Sequence, residues 1–313
     1  FGETCLDLTC GLGVDSFWFS KNFKKVVAVE RDAVLAEAVR LNFESMGVKN
    51  VQVLTENAED FVKNWAGEPF DWVFIDPARR DSRGKKMFLP ADCEPDLAST
   101  LPFLKKIGHQ ILVKYSPMLD VDAAARLFPG VAEIGVLSIG NECKEVWLRW
   151  STHPIERPDF VVKCWQKDRF LTFEKGKPTR PHSKFGSIID SKNLGFVIEP
   201  DVAFYKARML ADFSAHFLEN SGALTSPEGF FLAEKPVENC PARQFKIVEE
   251  LDWQPKKLAD FFKKKEIQRL NVVVRGFSAS AEQVRKQLKI AEGGALFLML
   301  SGQKGWLCER VFD

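Results

Sequence analysis

Residues Asp7-Leu8-Thr9-Cys10-Gly11-Leu12-Gly13-Val14-Asp15 close an apolar run that begins at Thr4. Downstream of them stands Phe70-Asp71-Trp72-Val73-Phe74-Ile75-Asp76-Pro77-Ala78-Arg79-Arg80. In the first stretch a carboxylate ends the run and two glycines lead into a helix-like segment. Glycine has no Cβ, so the backbone can turn sharply there and come close to a bound molecule. In the second stretch a buried-strand pattern stops at Asp-Pro, where proline ends the strand and aims the carboxylate out of the sheet. Both belong at the carboxyl ends of parallel strands, where a nucleotide-type pocket forms.

Strand-like and helix-like segments alternate around these two stretches. Strands are predicted at Thr4–Leu8, Val26–Glu30, Val51–Leu54, Phe70–Asp76 and Ile111–Tyr115, with helices starting at Asp15, Ala33, Ala58 and Leu97 between them. A short helix, Val121–Leu127, precedes two closely spaced strands, Ala132–Ile139 and Glu145–Trp150. Helical crossovers imply a parallel sheet covered on both faces, and the short last link implies an antiparallel edge. The expected fold class is therefore α/β, a seven-stranded Rossmann-like sheet over residues 1–150. Two prolines and mixed polarity mark a boundary at 151–159. Beyond it a hairpin (Phe160–Trp165, Arg169–Phe173), a basic loop (Gly176–Gly186), a strand (Phe196–Glu199) and a long amphipathic helix (Asp201–Glu219) are expected. A mixed α+β region, 240–313, closes the chain.

The chain has 313 residues, 45% of them apolar and 28% charged, values of an ordinary globular protein. No apolar run approaches the roughly 18 residues that span a bilayer, and no signal peptide is apparent. Seven cysteines at irregular spacing show neither a CxxC pair nor a zinc pattern, so core thiols in a reducing cytoplasm are expected. Net charge is +1, but residues 1–150 carry about −4 and residues 151–313 about +5. A basic second half is compatible with a nucleic-acid partner. The chain begins without Met, close to its first glycine turn, and natural residues upstream are expected to be missing.

Glu30 ends the second apolar run, about 17 residues past Gly13, where a carboxylate can accept hydrogen bonds from both hydroxyls of a ribose. Ser16 stands at the third-glycine position of the dinucleotide fingerprint, which counts against a dinucleotide. Asn57-Ala58-Glu59-Asp60 either reaches a purine amino group or is a helix cap with an acidic first turn. Arg79 and Arg80 either hold a substrate phosphate or pair with Asp81, Glu94 or Asp96. Lys114-Tyr115-Ser116-Pro117 ends the fifth strand at the same rim, with an ordinary turn as the bland account. Asn141–Glu145 reads as turn chemistry. The run Lys263–Lys265, with Arg269 and Arg275, is either a solvated face or an RNA contact.

Asp-x-Thr-x-Gly-x-Gly-x-Asp, with Glu30 and Asp76-Pro77-Ala78-Arg79, resembles class I S-adenosylmethionine-dependent methyltransferases. More closely, the chain resembles a bacterial group in which this domain precedes a ferredoxin-like segment and a THUMP-like C-terminal domain. That match is carried by Asp76–Arg80, Lys114–Asp120, Asn141–Glu145 and Glu199-Pro200-Asp201-Val202-Ala203. It implies domains at 1–150, 151–239 and 240–313. It also implies S-adenosylmethionine bound by Asp7, Thr9, Gly11, Gly13, Asp15, Glu30, Arg31, Ala58, Glu59 and Asp76. Asp76, Pro77 and Arg79 are the expected reaction edge, and Arg80, Lys114 and Ser116 the expected substrate contacts. Methyl transfer needs no metal, and none is expected. The expected activity is methylation of a base in structured RNA such as rRNA or tRNA, with an exocyclic amine as one candidate position and the methylated atom left open. The alternatives are a small-molecule or protein methyltransferase, or a binding module without turnover.

Overall fold

A computed structural model describes residues 2–79, 93–152, 159–166, 169–174, 194–218 and 223–311. The chain divides into two compact units, residues 1–163 with 172–174, and residues 164–171 with 175–313.

In the first unit the strands are β1 (Gly2–Asp7), β2 (Phe23–Glu30), β3 (Val51–Thr55), β4 (Phe70–Ile75), β5 (Gly108–Tyr115), β6 (Glu133–Ile139) and β7 (Glu142–Ser151). Their order across the sheet is β6-β7-β5-β4-β1-β2-β3, and β8 (Asp159–Gln166) and β9 (Arg169–Glu174) extend it beyond β6. The pairs β1–β2, β1–β4, β2–β3 and β4–β5 are parallel, so their carboxyl ends share one edge. β7 runs antiparallel to both β5 and β6, and its first residues return to that edge. The two-residue link between β6 and β7 is Gly140-Asn141, both at positive φ (59° and 64°), as a type I′ hairpin turn requires. Five helices serve as crossovers: α1 (Val14–Ser20), α2 (Ala33–Ser45), α3 (Ala58–Asn64), α4 (Leu97–Ile107) and α5 (Val121–Leu127). Burial on both faces explains the near-continuous apolar strands: Val26 to Val29, Val73 and Ile75 are almost fully inaccessible. The order of connections reverses between β1 and β4, which leaves a crevice at the carboxyl edge.

The second unit is a seven-stranded sheet. It contains β10 (Phe196–Pro200), β11 (Phe231–Ala233), β12 (Ala242–Asp252), β13 (Asn271–Val274), β14 (Leu296–Ser301) and β15 (Lys304–Arg310), with Ala223–Leu224 beside β11. Helices α8 (Pro255–Lys264) and α9 (Ala281–Leu288) cover one face through Leu258, Phe262, Val284 and Leu288 at four-residue spacing. Val197, Phe230, Phe245, Met299 and Trp306 form the core on the other face. β10 pairs antiparallel with β12 from Phe196↔Lys246 to Pro200↔Ala242, so one sheet runs across the boundary expected at 239/240.

One element departs from expectation. The helix predicted over 201–219 is two, α6 (Val202–Lys206) and α7 (Leu210–Phe217). Asp201 caps the first as expected, accepting from the Ala203 amide. Arg208 then takes φ 58°, and the Met209 amide closes back on the Phe204 carbonyl, a Schellman-type stop. The break lets Phe213 pack edge-on against Phe204 at 5.1 Å, a tertiary contact that helical periodicity cannot show. The basic loop 176–186 and Arg80 lie outside the described residues.

Two glycines shape the turn after β1. At Gly11 (φ +53°) a Cβ would meet only the Thr9 carbonyl oxygen, at an ordinary 4.0 Å, whereas at Gly13 (φ +80°) it would lie 2.9 Å from Val39 and 3.0 Å from Phe43. Gly11→Ala is expected to cost about 1–2 kcal/mol from the left-handed backbone alone. Gly13→Ala adds overpacking, for a total of about 2–5 kcal/mol. Denaturant melts of the two variants check this order; equal losses would mean that α2 yields freely.

Candidate functional site

Hydrogen bonds hold the turn after β1 to both flanking strands. The Leu8 amide donates to the Phe74 carbonyl of β4, and the Cys10 amide to the Val29 carbonyl of β2, each at 2.9 Å. The Asp76 amide donates to the Thr9 hydroxyl at 2.7 Å, which joins the end of β1 to the end of β4. Beneath the turn lies Asp7, fully buried, which accepts from the Ser16 hydroxyl at 2.5 Å and the Thr9 amide at 3.2 Å. Ser16 thus has a positive structural role, one that the glycine-fingerprint comparison did not reveal.

Glu30 stands at the end of β2. Its Oε2 accepts from the Gly11 amide and its Oε1 from the Asp32 amide, both at 2.9 Å, so the carboxylate is fixed in position. Asp32 in turn caps α2.

A cavity of about 500 Å³ opens at this edge. Of the expected site residues, Thr9, Gly11, Asp15, Glu30, Arg31, Ala58, Glu59, Asp76 and Pro77 line it. Asp7 and Gly13 are not among the lining residues and act through the turn. Arg31 is paired with Glu94 at 2.6 Å. Asn57 lines the cavity, but its side chain caps α3 by accepting from the Glu59 and Asp60 amides, which is the capping alternative. Backbone pairing of Ala78–Arg79 with Cys93–Glu94 closes a short ladder beside it. Lining residues not anticipated as site residues include Glu56, Pro95 and Glu94, the last expected only as a partner for Arg79 or Arg80. Glu94 and Pro95 lie far from either motif in sequence, and no local signal marks them.

Lys114 sits at the carboxyl end of β5. Its Nζ lies 2.8 Å from Asp76 and 3.6 Å from Asp15. Burial alone would lower the Lys114 pKa, yet the hydrogen bond and charge of Asp76, with Asp15 and Glu145, hold it above the usual lysine range. Burial raises the Glu145 pKa, with Lys114 acting the other way. Glu145, expected as turn chemistry, reaches this group because β7 returns antiparallel beside β5. Ser116 accepts from the Met118 amide at 3.3 Å, an ordinary turn contact.

Comparisons with known proteins agree with this geometry. Residues 2–88 match the family described as conserved hypothetical protein 95, and residues 242–310 match the family described as THUMP domain-like. A candidate methyltransferase of known crystal structure from Porphyromonas gingivalis W83 superposes with a TM-score of 0.81 at 24% identity, covering 99% of this chain and 78% of that one. The first unit therefore has the class I methyltransferase fold, and the second carries a THUMP-like region, as the resemblance implied. Curated relatives include 23S rRNA (uracil(1939)-C(5))-methyltransferase RlmD. The Vibrio parahaemolyticus protein is 42% identical over 84 residues, 26% of this chain and 19% of that protein. The Xylella fastidiosa 9a5c protein is 29% identical over 157 residues, 46% of this chain and 33% of that protein. The chain thus spans a third or less of the length of these relatives.

The fold implies S-adenosylmethionine, and the residues present fit it. Among the described residues, Asp15, Glu30, Glu56, Glu59, Asp76 and Glu94 line the cavity, with Arg31 as the one Lys or Arg beside them. That donor set suits a molecule with sulfonium and ammonium cations and opposes a pyrophosphate. The turn amides are also engaged: Gly11 donates to Glu30, and Gly13 to the Cys10 carbonyl. A phosphate cradle needs such amides unpaired.

Burial raises the Asp7 pKa to about 7, only partly opposed by the bonds from Ser16 and Thr9. A carboxyl whose pKa is higher folded than unfolded binds more protons when folded. Stability is then greatest below pH 4 for this group and falls as pH rises toward 7. The protein's melting temperature is expected to decline between pH 5 and 8 through this group, by a free energy on the order of a few kcal/mol. Asp7→Asn should flatten that slope in thermal melts; parallel slopes for both proteins would exclude Asp7 as its source.

Proposed function

We propose that the chain is an S-adenosylmethionine-dependent methyltransferase acting on a base of structured RNA. The observation that carries this reading is the placement of Glu30 and Asp76 on one acidic cavity at the carboxyl edge of a class I methyltransferase sheet. When bound, S-adenosylmethionine supplies an electrophilic methyl carbon. Glu30, fixed by two backbone amides, offers its remaining lone pairs to the ribose hydroxyls. Asp76 is held by its own amide on Thr9 and by Lys114 on Oδ2. That leaves Oδ1 to accept an N–H of the acceptor and turn its lone pair toward the methyl group. In-line displacement is a positioning problem, so ordered acceptor contacts carry most of the effect.

The acceptor is best read as an exocyclic amine. A pyrimidine ring carbon must first be activated by a nucleophile, and the thiol that lines the cavity is Cys10. Cys10 is buried, and burial with the nearby Asp7 charge pushes its pKa up to about 12, so it is no thiolate at neutral pH. An amine brings its own lone pair. RNA as substrate is supported by the THUMP-like match, by the names of the relatives and by the basic second half. Cytoplasmic location accords with this; no helix among the described residues is long and apolar enough to cross a membrane.

Asp76→Ala is expected to lower methyl transfer by about 10²–10⁴-fold. Calorimetry should find S-adenosylmethionine affinity within a few-fold of wild type. Labelled transfer to total RNA from a strain lacking the protein, with nucleoside mapping, provides the rate and the product. Undiminished turnover by the variant would remove Asp76 from the mechanism, and a C5-methyluridine product would overturn the amine assignment.

A further inference from the structure

Glu199 ends β10 in the second unit and is wholly buried. Arg243, directly opposite on β12, donates to its Oε2 from Nε at 2.7 Å, and its Nη2 lies at ion-pair distance, 2.5 Å from the same oxygen. Arg275, just past β13, donates to Oε1 from Nε at 3.1 Å, and its Nη2 lies at ion-pair distance, also 3.1 Å from that oxygen. One carboxylate thus holds two guanidiniums, one on each oxygen, each by a charge-assisted hydrogen bond from Nε and a close Nη2 contact.

Charge and geometry both exceed what neutralising Glu199 requires. Two guanidiniums on one carboxylate leave one excess positive charge. In the other described ion pairs of this unit, cations are matched or outnumbered by acids: Arg208–Glu228, Lys265–Glu249, Arg285–Glu292, Lys286–Glu282, and Lys304 with both Glu250 and Asp252. Each guanidinium has five N–H donors, of which two face Glu199, and no described residue accepts from either Nη1. The Arg243 and Arg275 side chains keep 31% and 27% of their surface accessible. The Arg275 guanidinium also lies 4.4 Å from the centre of the Tyr205 ring, whose hydroxyl donates to the Gly229 carbonyl at 2.9 Å. Both forks are therefore set before any ligand arrives, so little side-chain entropy remains to be lost on binding.

We propose that Arg243 and Arg275, aligned on the buried Glu199 carboxylate, form a two-pronged clamp for a backbone phosphate of RNA. Tetrahedral phosphate oxygens match the outward N–H edges of two neighbouring guanidiniums. The clamp rests on the RNA reading above and adds to it a residue-level anchor. It also accounts for the Glu199-Pro200-Asp201-Val202-Ala203 motif, which the catalytic edge leaves without a role: Glu199 aligns the arginines, and Asp201 starts the helix that presents Tyr205. The run Lys263–Lys265, the more conspicuous basic feature in the sequence, is committed in part, since Lys265 pairs with Glu249 at 2.6 Å.

The test measures binding of labelled 23S rRNA fragments to the full chain across a salt series, with thermal melts of every variant. Arg243→Gln and Arg275→Gln are each expected to weaken binding about 5- to 20-fold and to lower the salt slope by about one. Lys263→Gln should leave both within two-fold. Should either Gln variant fail to fold, Arg243→Lys and Arg275→Lys keep the charge on Glu199 and are expected to weaken binding about 3- to 10-fold. Glu199→Gln separates the clamp from a purely structural staple: melting temperature falls, while the folded protein still binds RNA at least as steeply with salt. Folded Arg variants with wild-type affinity and slope would overturn the clamp while leaving the RNA reading intact. A wild-type chain that binds no RNA would overturn both. Micromolar binding of inorganic pyrophosphate, lost in the Arg variants while RNA binding is unchanged, would reassign the site to a free anion and overturn the clamp.

Discussion

The geometry of the first unit depends on how the turn after β1 is tied down. Between two parallel strands a glycine-containing turn has no ladder of its own to hold it. Here the Leu8 and Cys10 amides each reach a different neighbouring strand, and the Thr9 hydroxyl receives the Asp76 amide. Displacing that turn would therefore disturb β2 and β4 together. Glu30 and Asp76 are set by the same network, Glu30 through the Gly11 amide and Asp76 through Thr9. The proposed cofactor edge and reaction edge are thus one mechanical unit, and their separation is fixed before any ligand enters.

Electrostatics then select what that edge can accept. Among the described residues the cavity carries six carboxylates against one arginine, and the Gly11 and Gly13 amides of its turn are internally bonded. A phosphate-bearing cofactor would meet like charge and few donors, whereas a sulfonium-bearing one meets acceptors. Lys114 modifies this balance at one point only. It lies against Asp76 and Asp15 and offsets part of the repulsion among Asp15, Asp76 and Glu145. Without a cation there, three carboxylates would converge at one edge with nothing among the described residues to offset their mutual repulsion.

Much of this was legible in the chain. Strand positions in the first unit followed from apolar runs buried on both faces, and the antiparallel edge from a link too short for a crossover. The turn, Glu30 and Asp76 were legible because each ends a strand, where direction follows from register. What could not be read were partners brought in by topology. Glu145 is near Lys114 only because β7 inserts between β5 and β6, and Glu94 reaches the cavity across a long span of sequence. The break at Arg208 was hidden for a related reason. Apolar residues continue on both sides at helical spacing, and only packing of Phe213 on Phe204 reveals the stop.

The two units solve one problem, the buried carboxylate, in opposite ways, and the contrast bears on their roles. Asp7 has no cation within ion-pair distance among the described residues. It is supported by a hydroxyl and an amide, and burial moves its pKa toward neutrality. That arrangement holds a turn without adding positive charge beside a cavity meant for a cationic ligand. Glu199 instead takes two arginines, more cation than it can neutralise, and the surplus lies on a partly accessible face. Adding a guanidinium beside Asp7 would oppose the sulfonium, and removing one beside Glu199 would leave no excess charge for a phosphate. Each carboxylate therefore bears on the sign of charge its surroundings present, negative at the carboxyl edge of the first unit's sheet and positive on the second unit.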